Sequence, residues 1–569
     1  MQPFKIRFAV EISPLLETLQ HITRRMMSER HWPTPDFVGA GAVTNLELAH
    51  AAGIPFDGFR MESGPNGLIR IVASGDRGLF YGMGKFLRRS GMEHGEFKPC
   101  PWRGLSAPRL SMRGIYFATH FHNFYQEAPV AEVEQYIEDL ALLGFNALNV
   151  WFDMHHFSGI ADPAAADMLA RLAVLLKKAR SVGMQAGLGF LANEGYRTTP
   201  VDLRAVKTGT AHYGVEVCVA TPQGEALVLE NMRGVLTAFR DVGLDFLWLW
   251  PYDQGGCMCA ACRPWGCNGM LKIGEKAARQ FRALFPKTKV VFSTWLFDHS
   301  PGQGEWEGLA RAFAKKPDWV DYLMADSHVH FPRFPLERGV PGGLPMLNFP
   351  EISMYGMLPW GAFGANPLLR RFESLWGEVA HLADGGFPYS EGIFEDINKA
   401  AYAHFYWTGQ NEWREAIAEY VRFYFGNGNP ATILHILEIL EQHHAPVWLS
   451  EEMFKDWGVQ KGALPVKDYP GWVRLPQSET LNAKRAEEAW ALCGLAEADM
   501  PEWGAQSWRW RIVKLRAFLD KELIGNAGEP TPDCEAAFRE LEAIYHAEEG
   551  ESPVSPPIPG RKRIDTSSA

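Results

Sequence analysis

Carboxylates recur in this sequence where short runs of β-forming residues end. Asp253 ends the run FLWLWPYD, and Glu391 lies in the run FPYSEGIFED. A protonated carboxyl group can give a proton to a leaving oxygen while an ionised one acts as base, nucleophile or charge stabiliser, the chemistry that splits glycosidic bonds. Asp253 and Glu391 are therefore the predicted catalytic pair, if the fold brings these two ends together.

Further polar residues follow the other runs. Glu194 and Glu351 end the third and seventh runs, where contact with a substrate and a structural ion pair are equally good readings. The histidines come from separate runs and lack an H-x-x-x-H spacing, so we expect hydroxyl contacts rather than metal ligation. The predicted substrate contacts of this kind are His120, Asp153, Asp326 and His328, with His122, His155, His156 and His330 nearby.

Aromatic residues lie at or near the same ends. Their faces stack on the apolar C–H faces of sugar rings, so they predict a carbohydrate site, although any single one could simply pack in the core. The aromatic residues predicted to contact substrate are Trp151, Trp250, Tyr252, Trp295 and Trp360.

Four cysteines occupy the segment CMCAACRPWGC, directly after Asp253. Four thiolates would close a tetrahedral structural zinc site, with no open position for catalysis. Reduced thiols that pack the loop are the favoured reading, because structural zinc sites usually draw their ligand pairs from more widely spaced turns, and a redox role is the least favoured one. The predicted ligands, if zinc binds, are Cys257, Cys259, Cys262 and Cys267.

Eight such runs lie between Ser111 and Asp396, most of them separated by amphipathic helical stretches. Strands that alternate with helices predict parallel βαβ units, and eight units predict a (β/α)8 TIM barrel rather than an open, doubly wound sheet. Active sites of such barrels lie at the C-terminal ends of the strands. The predicted domains are a small α/β domain over 1–105, the barrel over 106–398, an all-helical domain over 399–550 and a disordered tail over 551–569.

Composition excludes several partners. The net charge of −11 forms no long block of one sign, so we expect no nucleic acid partner. Apolar runs fall short of a membrane span, and the first residues lack the features of a signal peptide, which predicts a cytoplasmic protein. The expected partner is a small carbohydrate, and the helical domain would cover part of the site or form a contact in a homo-oligomer.

The order of parts resembles a group of exo-acting glycoside hydrolases, those related to β-hexosaminidases, α-glucuronidases and α-N-acetylglucosaminidases. The resemblance rests on RGLFYGMGKFLR (Arg77 to Arg88), on MRGIYF (Met112 to Phe117) and on the helical C-terminal part. In the hexosaminidase relatives the fourth strand ends in an Asp-Glu pair. Here Gln254 follows Asp253, which counts against ordinary N-acetylhexosaminidase chemistry because an amide cannot donate an acidic proton.

The resemblance implies removal of a terminal sugar by paired carboxylates, with no required cofactor. Two alternatives stay open. A metal-dependent sugar isomerase or lyase would use the histidines and Asp326 as ligands, and a non-catalytic carbohydrate-binding protein would keep the aromatic residues without needing paired carboxylates. A uronic acid substrate would call for arginine or lysine in the site, and the strand ends offer few.

Overall fold

The computed structural model describes residues 2–119, 123–207, 213–252, 255–298, 304–327, 330–353, 364–426, 430–443, 464–465, 474–475, 482–526 and 530–546. Among these residues, no helix is both long enough and apolar enough to cross a membrane.

The N-terminal part is a six-stranded sheet with two helices. Its strand order is β2-β1-β3-β5-β4-β8; the first four strands are parallel, whereas β4 and β8 are antiparallel to their neighbours. The elements are β1 (Phe4–Phe8), α1 (Pro14–Glu29), β2 (Pro35–Phe37), β3 (Leu46–His50), β4 (Phe59–Ser63), β5 (Ile69–Ala73), α2 (Asp76–Arg88), the hairpin β6 (Gly91–Glu93) and β7 (Glu96–Lys98), and β8 (Gly104–Ser106).

A closed parallel barrel follows, and all eight predicted runs contribute a strand to it. Strand β10 pairs with β9, and β9 also pairs with β16 and β17, which closes the ring. The strands are β9 (Met112–Phe117), β10 (Ala147–Trp151), β11 (Gln185–Leu191), β12 (Phe246–Trp250), β13 (Lys289–Ser293), β14 (Tyr322–Asp326), β15 (Met346–Phe349), and β16 (Ala383–Gly386) with β17 (Tyr389–Ser390) sharing the eighth position.

Helices surround the barrel and continue beyond it. Several begin at strong sequence signals: Asp162 and Thr221 cap α5 and α6 with side-chain hydrogen bonds, and each is followed by proline. The helices are α3 (Phe124–Glu127), α4 (Val130–Leu143), α5 (Pro163–Ser181), α6 (Pro222–Ala238), α7 (Met270–Leu284), α8 (Glu305–Ala312), α9 (Arg333–Arg338), α10 (Leu369–Val379), α11 (Asp396–Thr408), α12 (Arg414–Phe425), α13 (Pro430–Gln442), α14 (Ala483–Ala498), α15 (Glu502–Ala505), α16 (Trp508–Gly525) and α17 (Pro532–Tyr545), with a short hairpin β18 (Leu464–Pro465) and β19 (Arg474–Leu475) between α13 and α14.

The closing strand pair depends on a glycine. Gly385 in β16 has φ +149° and lies opposite Met112 of β9. A Cβ atom at this position would lie 1.9 Å from the Met112 carbonyl oxygen. Only glycine combines this backbone angle with so close an approach, so the residue lets the first and last strands meet.

Buried ion pairs tie the later helices to the parts before them. The carboxylate of Glu419 in α12 accepts hydrogen bonds from Lys85 at 2.7 Å, Arg88 at 2.8 Å and Arg89 at 2.5 Å. These three cations hold the pKa of Glu419 down to about 2, against the opposing effect of burial. The helix that follows the barrel is thereby fastened to α2 of the N-terminal sheet.

We expect Glu419→Gln to lower the free energy of unfolding by ~3–5 kcal/mol, because three buried or half-buried cations lose their counter-charge. The depressed pKa makes the stabilisation fully present above about pH 4.5 and lost as pH falls toward 2, so the difference from wild type should shrink in acid. Urea titrations across this pH range measure the effect.

Glu415→Gln is the matched control. Its side chain is 77% exposed and, in the described part of the chain, its ion pair is with Arg89, so we expect a change within about 0.5 kcal/mol. Equal losses in the two variants would show that the Glu419 cluster does not fasten the helix.

Candidate active site

The C-terminal ends of the barrel strands bring together five of the predicted carboxylates. Each belongs to a residue that is at most 8% exposed. Four other predicted site residues, Asp253, His120, His328 and Trp360, lie outside the described part of the chain. The five described carboxylates are Asp153 after β10, Glu194 after β11, Asp326 at the end of β14, Glu351 after β15 and Glu391 after β17.

Three of the predicted aromatic residues form one buried cluster. The ring of Trp250 lies 6.2 Å from Trp151, 5.5 Å from Trp295 and 5.0 Å from Phe349, measured between ring centroids. Trp151, Trp250 and Trp295 are each less than 10% exposed, so they supply an apolar floor beside the carboxylates. Their contact with a sugar stays a prediction.

Three more aromatic residues complete this floor and were not singled out in the sequence. Tyr116 lies 5.6 Å from Tyr389 and 5.8 Å from Phe349. Their signal was present, since each lies within a predicted run. What the pattern could not show is that these rings face the same side as the tryptophans.

Tyr252 lies apart from this floor. Its hydroxyl donates a hydrogen bond to Glu305, and its ring packs near Phe297 with 6.4 Å between centroids. Burial raises the pKa of Glu305 to about 7. The described contacts of Tyr252 are those of a side chain that supports the loop after β12.

Glu391 is buried and held protonated. Burial raises the pKa of its carboxyl group to about 8, and the nearby charges of Glu351 and Glu395 act in the same direction. The Tyr389 hydroxyl donates to Glu391 Oε1 at 2.7 Å, which opposes the rise. At neutral pH this carboxyl group therefore retains a proton that it can give away.

The backbone of Glu391 is fixed from two sides. The Glu395 carboxylate accepts hydrogen bonds from the backbone nitrogens of Glu391 at 2.8 Å and Gly392 at 2.9 Å. The Tyr545 hydroxyl, in α17, donates to the Glu391 carbonyl at 2.6 Å. Glu395 thus organises the loop, and the last described helix reaches the candidate acid.

Gly392 has a different role from the one its place in a Ser-Glu-Gly turn suggests. Such a turn predicts open backbone that a ligand can approach. A Cβ atom on Gly392 would instead lie 2.5 Å from the Tyr545 ring, so the glycine makes room for α17. The sequence could not show this, because the partner lies on a helix far along the chain.

A second group consists of Asp153, Glu194 and His155. The backbone nitrogen and Nδ1 of His155 lie 3.2 and 3.1 Å from Glu194 Oε1. Burial raises the pKa of Glu194 to about 8 and that of Asp153 well above its usual range, and it lowers the pKa of His155 to about 3. Asp153 Oδ2 and Glu194 Oε2 are buried without a hydrogen-bond partner among the described residues, so both have unused hydrogen-bonding capacity.

Both groups lie near the same tyrosine ring. The carboxylates of Asp153, Glu391 and Glu194 all raise the pKa of the Tyr116 hydroxyl, which places this ring within reach of each of them. Glu351 is adjacent to the Glu391 side, since it forms an isolated β-bridge with Tyr389. Its Oε1 accepts from the backbone nitrogen and hydroxyl of Ser353 at 2.7 and 2.9 Å.

One cluster near the site could hold a metal with an oxygen and two nitrogen ligands. Asp153, His155 and His156 offer ligand atoms within 4.8 Å of one another. The sequence had suggested Asp326 as the carboxylate partner of the histidines, and among the described residues Asp326 does not join this group.

The cysteine cluster forms with one different member. Cys257, Cys259 and Cys262 lie together as predicted, but their fourth neighbour is Cys218. Cys267 instead donates its backbone N–H to Glu305 Oε2 at 2.6 Å, and its sulfur lies beside Gly308. Among the described residues, Cys267 does not join this group, and its place is taken by a thiol from an earlier loop of the chain.

No protein-family model and no curated protein matches this sequence. The fold, however, is similar to that of solved glycoside hydrolases. A GH115 4-O-methyl-α-glucuronidase with specificity for decorated arabinogalactans has 12% identity and TM-score 0.59, covering 95% of this chain and 76% of that chain. A GH138 enzyme targeting pectin rhamnogalacturonan II has 10% identity and TM-score 0.59, covering 95% and 90%.

A family 89 glycoside hydrolase from Clostridium perfringens, in complex with an acetamido-dideoxynojirimycin, has 12% identity and TM-score 0.62, covering 93% of this chain and 64% of that chain. At such low identity, these similarities confirm the predicted TIM-barrel fold and nothing finer. They do not transfer a substrate.

The buried carboxyl of Glu194 generates a prediction on stability. Because the pKa of Glu194 is about 8 in the folded protein and about 4.5 in the unfolded chain, only the folded protein holds this proton between these two pH values. The free energy of unfolding of the wild type should therefore fall as the pH rises from about 4.5 to about 8. Glu194→Gln removes this group, and we expect the variant to gain roughly 2–5 kcal/mol relative to wild type over that range. Urea titrations at several pH values measure the slope.

Glu275→Gln, on the exposed side of α7, is the matched control and should leave the slope unchanged, since its side chain is 43% exposed. An unchanged slope in Glu194→Gln would mean that this carboxyl group ionises in the folded protein as freely as in the unfolded chain.

Proposed function

We propose that this protein is an exo-acting glycoside hydrolase that removes a terminal sugar from an oligosaccharide or glycoside. The observation that carries the proposal is Glu391, a carboxyl group that burial keeps protonated near neutral pH. It is bonded to Tyr389 of the aromatic floor, and the carboxylates of Asp153 and Glu194 lie near Tyr116 of the same floor. The shared fold with solved glycoside hydrolases supports the proposal.

In this proposal Glu391 is the general acid. Its proton moves to the glycosidic oxygen as the bond to the anomeric carbon breaks, and the resulting oxocarbenium-like centre needs a negative charge beside it. Asp253 stays our choice for the partner carboxylate, because it ends the fourth predicted run in the sequence. Asp153 and Glu194, with their unused buried oxygens, would hydrogen-bond to sugar hydroxyls.

The exo-acting mode is supported by enclosure on one side. Tyr545 of α17 covers the backbone of Glu391, and Tyr125 of α3 donates to the Gly392 carbonyl at 2.9 Å. The terminal sugar of a chain fits a partly covered pocket better than the middle of a polysaccharide does. A cytoplasmic location and a homo-oligomer contact through the helices after the barrel are part of the same proposal.

A metal-dependent sugar isomerase or lyase is the second candidate. The observation that favours it is the cluster of Asp153, His155 and His156. Burial lowers the pKa of His155 to about 3, so its ring is neutral, which is the form that ligates a metal. A divalent metal bound to the wild-type protein would favour this candidate, provided that His156→Ala loses both the metal and the activity.

The direct test is turnover of a panel of α- and β-glycosides, including uronides and N-acetylhexosaminides, by wild type, Asp253→Asn and Glu391→Gln. We expect both variants to lose at least about a hundredfold in kcat/KM. Glu391→Gln should lose more on phenyl than on 4-nitrophenyl glycosides, since a poor leaving group depends more on the acid. Glu275→Gln serves as the control.

Turnover that survives both substitutions would mean that other carboxylates carry the chemistry. Absence of turnover on every glycoside would contradict the proposed function, and tight sugar binding without turnover would then favour a binding protein.

The pH profile tests the protonation state of Glu391 separately. Because the acid must be protonated, kcat/KM should fall as pH rises through about 8. Tyr389→Phe removes the hydrogen bond that lowers this pKa, so the alkaline limb should move to higher pH. Tyr406→Phe, which loses a buried hydroxyl bound to Asn348 at 2.7 Å, is the control. If the alkaline limb of the kcat/KM profile does not move in Tyr389→Phe, or moves equally in the two tyrosine variants, the titration belongs to another group.

A further inference from the structure

We propose that Cys218, Cys257, Cys259 and Cys262 bind one zinc ion in a closed, structural tetrathiolate site. Their sulfur atoms all lie within 4.8 Å of one another. Four sulfurs at the Zn–S distance of about 2.3 Å form a tetrahedron whose edges are about 3.8 Å. The Cys218 and Cys259 sulfurs are 3.7 Å apart, which matches such an edge.

The site is built from two loops of the barrel. The loop after β12 supplies three ligands, and the loop between β11 and α6 supplies Cys218. Structural zinc sites usually draw their ligands from two separate segments of the chain. Four ligands from one short segment, as the sequence alone suggested, would be unusual for a zinc site. The structure draws them from two segments instead.

A buried asparagine holds both loops in place for the ion. The Asn193 amide nitrogen donates to the carbonyls of Val217 and Gly256 at 3.0 Å each, and Asn193 Oδ1 accepts from the Gly256 backbone nitrogen at 2.9 Å. Val217 precedes Cys218, and Gly256 precedes Cys257. The ligand positions are thus fixed by the protein, as they are around other metal sites.

A disulfide does not account for the cluster. Each of the eight cysteines is free, and a disulfide requires about 2.05 Å between sulfurs, far below the 3.7 Å between Cys218 and Cys259. Hard cations such as magnesium and calcium prefer oxygen ligands, whereas a tetrahedral set of four thiolates suits zinc or iron. We choose zinc, and iron found in its place by the metal analysis would overturn this choice. All four positions are taken by protein, so the ion has a structural and not a catalytic role.

The ion would also stabilise the candidate active site. Asn193 directly precedes Glu194, and the Glu216 carboxylate next to Val217 accepts from the backbone nitrogen of Tyr213 at 2.7 Å. The Tyr213 ring stacks on His155, with 3.3 Å between centroids. Zinc would therefore fasten the loops that carry Glu194 and support His155.

The test measures zinc by plasma mass spectrometry in wild type, Cys218→Ser and Cys267→Ser, each expressed with added zinc and purified under reducing conditions. We expect one zinc per chain in wild type and in Cys267→Ser, and loss of zinc in Cys218→Ser. Zinc retained in Cys218→Ser, or lost equally in Cys267→Ser, would overturn the proposed ligand set. The readout does not depend on any sugar being turned over.

A measurement on wild type keeps the proposal falsifiable if Cys218→Ser fails to fold. Titration of the thiols with a mercurial, in the presence of a metal-binding dye, should release one zinc per chain as four thiols react. Cobalt bound in place of zinc should show the visible bands of a tetrahedral thiolate complex. No zinc released, no such bands, or a disulfide within the cluster by mass spectrometry would each overturn the proposal.

Discussion

Burial of carboxyl groups at the mouth of the barrel is the constraint on which the rest of the site depends. Glu391 and Glu194 lie among aromatic rings that exclude water, and this raises the pKa of each to about 8. An acid in such a place costs stability whenever it ionises, so the surrounding structure has to hold it there. Hydrogen bonds to the backbone of the loop hold Glu391 in place.

The supports come from outside the barrel. Tyr545 of α17 binds the Glu391 carbonyl, and Arg509 of α16 bonds to Asp396, the first residue of α11, at 2.8 Å. Arg509 also reaches Asp139 of α4 at 2.8 Å. The helices after the barrel are therefore part of what positions the candidate acid, which gives them a role beyond covering the pocket.

Periodicity was sufficient to predict the barrel, because strand and helix repeats are local properties of the chain. The partners of single side chains were not predictable in the same way. Cys218 joins Cys257 only because β11 and β12 are adjacent, and Gly392 meets Tyr545 only because α17 folds back on the loop. Tyr389 carries the hydrogen bond to Glu391, yet a strand pattern cannot show which hydroxyl faces which carboxyl. Domain boundaries stay predictions.

The residue that follows Asp253 in the sequence is an amide. Gln254 cannot supply an acidic proton. A protonated carboxyl group exists instead at the eighth strand, where burial rather than a neighbouring charge is the main cause of the raised pKa of Glu391. Because burial favours the neutral form, it also keeps the group neutral before substrate arrives. In the proposed function, Glu391 as the acid leaves the side of Asp153 and Glu194 to recognise the sugar.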